Sequence, residues 1–165
     1  MNRTISIKGI GKLSLKPDQT VVSLTLRTTH KVYEQAIEEA AKHLEQLQAV
    51  LAGIGFAKDH LKTSDFQVST KYEREHNQNG DYKQVFVGYC VVHQFKLEFD
   101  FNTQLLSQTL GAIAACIAEP ELKIQFTVKD KDAVNAARLE SACNTAKAKA
   151  EILTKASGVT LGDLV

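Results

Sequence analysis

Residues Val85 to Phe101 read VFVGYCVVHQFKLEFDF. Val85, Val87, Tyr89, Val91, His93, Phe95, Leu97, Phe99 and Phe101 take every second place, all apolar or aromatic but one. Between them stand Phe86, Gly88, Cys90 and Val92, then Gln94, Lys96, Glu98 and Asp100. A period of two in β-branched and aromatic residues predicts a strand. Its second half has one polar face, whereas its first half is apolar on both. Seventeen residues span roughly 55 Å at about 3.3 Å each. A compact chain of 165 residues has an expected diameter of only about 40 Å. The strand is therefore expected to bend at Gly88 or to leave the globule as an arm. An arm greasy on both faces needs a partner.

The flanking residues supply the strand's neighbours. Leu61 to Tyr72 is a second strand, with Phe66, Val68 and Tyr72 on one side. Glu73 to Lys83 reads as a polar loop with Asn79-Gly80 at its tip. Residues 61–101 then form one long, protruding β-hairpin. Upstream, Thr4 to Leu15 and Val21 to Thr29 both alternate and flank the turn signal Lys16-Pro17-Asp18-Gln19. They predict a first hairpin. Tyr33 to Ala52 is a helix with the apolar stripe Ile37, Ala40, Leu44, Leu47 and Leu51. A second helix starts after a cap at Asn102 or Thr103 and runs to about Ala118. Its stripe is Leu106, Leu110, Ile113 and Ile117.

Leu122 to Val128 alternates as a half-buried strand. Asp130 or Asp132 caps an alanine-rich helix reaching about Ser157, and Val159 to Val165 looks like a strand beginning. The order is ββ-α-ββ-α-β-α-(β). This predicts an α+β two-layer sandwich, a mainly antiparallel sheet with helices on one face. One parallel pair is expected from the last β-α-β connection. The chain reads as a single domain over residues 1–165, cut before or within its last strand.

Composition narrows the function classes. The 20 basic residues nearly balance the 19 acidic ones, so no global charge draws the chain to nucleic acid or membrane. Cys90, Cys116 and Cys143 are odd in number and widely spaced, which favours reduced thiols over a disulfide framework. No long apolar run follows Met1, so no signal peptide and no membrane span is expected. The expected location is cytoplasmic, or periplasmic or cell-surface if a leader has been removed.

Few residues invite chemistry. Gly9-x-Gly11 suggests a phosphate loop but lies inside an alternating stretch and opens no helix, so small residues beneath a helix are the better reading. His30, His43, His60, His76 and His93 show no metal-ligand spacing. His93, a polar ring on an apolar face, reads as a core or interface histidine with a satisfied nitrogen. No serine or cysteine forms an evident nucleophile–base set with it, and nothing obvious would depress a thiol pKa. Lys8, Lys12, Arg27, Lys123 and Lys129 fall on polar strand faces, but the exposed aromatics of an RNA-binding sheet are missing. No catalytic residue, metal or cofactor is expected.

A resemblance adds to this reading. It is carried by Ile7-Lys8-Gly9-Ile10-Gly11 with Lys16-Pro17-Asp18, and by Asp59-His60-Leu61-Lys62-Thr63-Ser64-Asp65-Phe66 ahead of Tyr72. Gly88-Tyr89, Ala146-Lys147-Ala148-Lys149-Ala150-Glu151 and Gly158-Val159-Thr160-Leu161-Gly162 complete it. In this ordered set the chain resembles the SIMPL-domain family along nearly its whole length. That family includes bacterial periplasmic or outer-membrane immunogenic proteins and a vertebrate protein that associates with an interleukin-1-receptor kinase. It has no agreed biochemical activity. Some bacterial members resemble ring- or channel-like oligomers, and some are linked to oxidative-stress tolerance. Thr70 stands where the family often has proline, the lack of a leader fits the cytosolic-looking subset of the family, and relatives continue their last strand beyond the point where this sequence ends.

The resulting expectation is a non-enzymatic interaction module, a homo-oligomer with a possible further protein partner. It would pack Phe86, Val87, Tyr89, Val91 and Val92 against another subunit. The alternative is a small-ligand or peptide-binding protein linked to stress tolerance, with a groove near Gly9, Gly11 and His93.

Overall fold

A computed structural model describes residues 4–76 and 82–163. Its contacts form two compact units. One comprises residues 17–127, and the other the two chain ends, up to Lys16 and from Val128 onward.

The larger unit holds four strands and two helices. The strands are β1 (Gln19–His30), β2 (Leu61–His76), β3 (Tyr82–Asp100) and β4 (Glu121–Thr127). The helices are α1 (Tyr33–Ala52) and α2 (Thr103–Ala114). The sheet order is β2-β3-β1-β4, and every neighbour is antiparallel. Together with α3 (Lys131–Ala156) of the smaller unit, this is the expected α+β class with an open antiparallel sheet.

Alternation places the core. β1 turns Val22, Leu24 and Leu26 to one face, and its partners on β3 are Leu97, Phe95 and His93. Leu47 and Leu51 of α1 and Ile113 of α2 close over them, with Leu61 at the start of β2 and Phe56 beyond α1. A smaller cluster joins Ala36 and Ala40 of α1 to Val91. Alanines on the first turns of α1 thus let the helix lie close to β3, and leucines further along fill a wider gap. The Asn102 side chain caps α2, accepting from the N–H groups of Gln104 and Leu105 at 3.0 Å each.

Several sequence expectations need correction. No N-terminal hairpin forms, because Thr4 to Leu15 lies in no strand. Gly9 and Gly11 give that segment no side chains to pack, and its backbone lies on α3 instead. The amine of Lys149 and the hydroxyl of Ser141 donate to the carbonyls of Lys8 and Lys12, at 3.3 and 3.4 Å. These carbonyls find partners on a helix, where a sheet ladder was expected. No parallel pair occurs among the described residues. Residues 159–163 carry no regular structure, and Val165 lies outside the described residues.

α2 stops at Ala114, short of Ala118. Its exit tightens into three-residue bonds, Cys116 N–H to the Ile113 carbonyl and Glu119 N–H to the Cys116 carbonyl. Ile117 therefore leaves the stripe and is 83% exposed. β2 and β3 also run further into the expected loop than alternation suggested. The expected tip, Asn79-Gly80, lies outside the described residues.

Candidate interaction surface

The feature that distinguishes this sheet is the far end of the β2–β3 ladder. β1 pairs with β3 from Gln19↔Asp100 to His30↔Tyr89 and then ends. The β2–β3 ladder continues through Tyr72↔Phe86 to His76↔Tyr82. Over these last pairs it has two strands only among the described residues.

A bulge marks the transition. Lys71 pairs with Gly88, but the next residue, Tyr72, pairs with Phe86. Val87 is thus the extra residue on β3, and it reverses which positions share a face. Phe86 turns to the same side as Tyr89 and Val91. This explains why Val85 to Val92 reads as apolar on both faces, since two different alternations meet there. Gly88 is needed at the crossing, where a Cβ would come within 2.6 Å of the His30 carbonyl oxygen.

Aromatic rings follow this face in a line. Tyr33 and Tyr89 meet edge-on at 5.3 Å, Tyr89 and Phe86 at 5.4 Å, and Phe86 and Tyr72 at 5.6 Å. Burial falls along the line. Val91 is 1% exposed beneath α1, Tyr89 is half-buried, Phe86 is 39% exposed and Tyr72 is 53% exposed. Of the five expected interface residues, Phe86 offers the open ring. Val87, Tyr89 and Val92 are half-buried. Val91 is enclosed within its own chain, because it lies on the covered side of the bulge. Tyr72 and Tyr33 belong to the line but were not singled out. Their membership follows from pairing across the bulge, which alternation within one strand does not reveal.

Two residues of the expected ligand groove, Gly9 and Gly11, lie against α3. A Cβ on Gly9 would overlap the carbonyl oxygen of Ala142, and one on Gly11 that of Arg138. The two glycines are contact points for the α3 backbone, as the reading of small residues beneath a helix expected. The hollow beside Gly11 is lined by Asn135, Arg138, Leu139 and Ala142.

His93 is buried in the larger unit. Its Nε2 shares a hydrogen bond with the Thr63 hydroxyl at 3.1 Å. Its ring lies 3.9 Å from that of Phe95 and meets Phe66 edge-on at 4.8 Å. Burial pushes its pKa below the ordinary histidine value. The folded protein therefore binds this proton less readily than the unfolded chain. Stability from this residue is present above the unfolded pKa of about 6.5 and falls as pH drops through that value. His93→Gln should flatten part of the decline in urea midpoint between about pH 7 and pH 5. An unchanged slope would assign the decline to other groups.

Three further histidines have structural partners. The ring Nδ1 of His30 accepts from Val32 N–H at 3.0 Å, and that of His60 from Ala57 N–H at 2.9 Å. His43 Nδ1 lies 3.0 Å from the Thr28 hydroxyl. Among the described residues no cluster of histidine, cysteine or carboxylate side chains could hold a metal ion. Cys116 is buried, Cys90 half-buried and Cys143 exposed, all as free thiols. No helix is long and apolar enough to cross a membrane among the described residues. Arg27 pairs with Glu121 at 2.9 Å, and Lys8 and Lys12 lie on no strand. Of the basic residues read on polar strand faces, Lys8 and Lys12 are therefore not part of the sheet.

Residues 5–165 match the model of the SIMPL family, described as a protein of unknown function (DUF541). No curated protein matches. Among solved structures, the chain is similar to Bacillus subtilis GlnK, with 10% identity and a TM-score of 0.38 over 66% of this chain and 84% of that one. It is also similar to the designed protein Ferredog-Diesel, with 13% identity and a TM-score of 0.26 over 76% of this chain and 97% of that one.

Proposed function

The chain belongs to the SIMPL family of proteins of unknown function, and from that premise we propose that it is a non-enzymatic module that self-associates through its 61–101 hairpin. One observation carries this reading. The two-stranded end of the β2–β3 ladder displays Tyr72 and Phe86, in edge-on contact with each other and both exposed. A two-stranded ribbon is marginal in water unless a third strand or a second layer covers it. Exposed aromatic pairs are the residue type that interfaces favour. A second copy laid on this face would supply the cover and desolvate both rings. Tyr89 and Tyr33 would back the contact from within.

Light scattering after size exclusion tests the proposal at tens of micromolar. The natural chain should elute as an oligomer. The Tyr72→Ser, Phe86→Ser double variant should move toward monomer while its far-ultraviolet circular dichroism is retained. A natural chain that is strictly monomeric at that concentration overturns the reading. So does a double variant whose mass is unchanged.

A further inference from the structure

We infer that His30 is a proton-operated latch on α1: acidification frees the start of the helix and loosens Tyr33 from Tyr89. Its bearing on assembly rests on the hairpin reading, in which Tyr33 backs the contact between copies.

The histidine bonds are of two kinds. His43 and His93 each meet a hydroxyl, that of Thr28 at 3.0 Å and that of Thr63 at 3.1 Å. A hydroxyl both donates and accepts, so it can bond a neutral or a charged ring. His30 meets a backbone N–H instead, that of Val32, at 3.0 Å. An N–H only donates, so this bond exists only while Nδ1 carries no proton. In the imidazolium both ring nitrogens are donors, and the bond is lost. His60 is held by Ala57 N–H in the same way, but its ring lies against Phe56 and not in the aromatic line.

The position of His30 makes the loss matter. It ends β1 directly opposite Tyr89, and its carbonyl lies against Gly88 at the bulge. Its backbone is therefore anchored to β3, and its ring reaches forward to the residue that starts α1. That residue is Val32, whose side chain cannot cap a helix, whereas Asn102 and Asp130 cap α2 and α3. The next residue, Tyr33, meets Tyr89 edge-on. One ring bond thus joins the end of β1, the first turn of α1 and the aromatic line.

The surrounding charges do not replace that bond. A cation at the start of a helix opposes the dipole. Lys31 beside it repels the charge, and Glu34 on the first turn attracts it. On β3 the facing group is Tyr89, and on β2 Lys71 follows its partner Thr70. His43 of α1 is bonded two residues back, at Thr28. Helix ends open at almost no free-energy cost, so the loss of one bond shifts the population of the open turn appreciably. Histidine is the side chain that changes charge between about pH 5 and pH 8.

Amide exchange read by mass spectrometry over residues 31–37 tests the latch at about pH 7.5 and pH 5.5. Rates are corrected for the intrinsic pH dependence of exchange, with residues 44–51 as the internal reference. The natural chain is compared with His30→Asn and His30→Ala. The asparagine side chain accepts from the N–H two residues on and does not titrate, whereas alanine offers no acceptor. Protection should fall roughly two- to tenfold on acidification in the natural chain, the usual contribution of one hydrogen bond. His30→Asn should keep the neutral value at both pH values, and His30→Ala should show the acidified value at both. An equal fall in His30→Asn overturns the inference. So does a natural chain whose protection is unchanged, or a His30→Ala variant as protected as the natural chain at neutral pH.

Light scattering at the same two pH values reads the consequence for assembly. The natural chain should associate more weakly at the lower pH, and His30→Asn should not. Equal weakening in both overturns the link between latch and assembly. A chain that associates at neither pH sinks the hairpin reading alone, because the exchange data decide the latch in a monomer or an oligomer.

Discussion

Phe95→Ala should destabilise the protein by about 3–5 kcal/mol, the usual cost of emptying an aromatic site in a packed core. Phe95 is 1% exposed on a strand with neighbours on both sides. It opposes Leu24 on β1 and Thr63 on β2, beneath a layer supplied by α1 and α2. The cavity has no route to relax, since both flanking strands are tied by ladder bonds. A domain of this kind commonly has only about 5–15 kcal/mol in total, so the variant should sit near its folding threshold at 37 °C. Urea denaturation followed by circular dichroism measures the change. Phe66→Ala is the control. Phe66 is on edge strand β2 and 48% exposed, so its loss should be much smaller. Equal losses would mean that the buried layer is not centred on Phe95.

The second large effect is expected at Gly9 and Gly11. Around Gly11 the obstructing atoms are backbone, the carbonyl of Arg138 and the nitrogen of Ala142. Around Gly9 they are the carbonyl of Ala142 and the Cβ of Ala146, 2.9 Å away. None of these is a flexible side-chain end that could swing aside. Gly9→Val with Gly11→Val must therefore lift the segment from α3. Overpacking of this type costs about 1–3 kcal/mol per site, so the pair should increase local opening at least roughly 30-fold. Amide exchange should accelerate by that factor at residues 5–13, with β1 as the internal reference. Trypsin should also cut faster after Lys8 and Lys12. Exchange at the natural rate would show that the segment does not rest on α3 through these glycines.

Much of this arrangement was legible in the amino-acid order. Period two located β1, β2, β3 and β4, and the three- and four-residue spacing of Ile37, Ala40, Leu44, Leu47 and Leu51 oriented α1 over the sheet. Asn102 and Asp130 were recognisable as caps. The failures share a cause, which is that alternation describes a strand and not its partner. Thr4 to Leu15 alternates like β1, yet its neighbour is a helix, and only the glycines signal that backbone rather than side chains makes the contact. At the candidate site, Phe86 was legible as an apolar residue without an inner face. The enclosure of Val91 was not, because the extra residue at Val87 separates the covered side from the open one. A bulge of one residue leaves little trace in composition, although Gly88 beside it was a visible sign.

The strand order β2-β3-β1-β4 also bears on how the chain is made. β1 is the first strand synthesised, yet both of its neighbours come later, β3 after α1 and β2, and β4 last. Translation at about 5–20 residues per second separates His30 from Thr127 by roughly 5–20 s. Through that interval Val22, Leu24 and Leu26 have no completed sheet to enter. α1 follows directly and can shelter them, whereas the pairing that locks β1 on both sides must await the whole of residues 17–127. Nascent chains stalled before β4 should therefore be the species on which holding factors act.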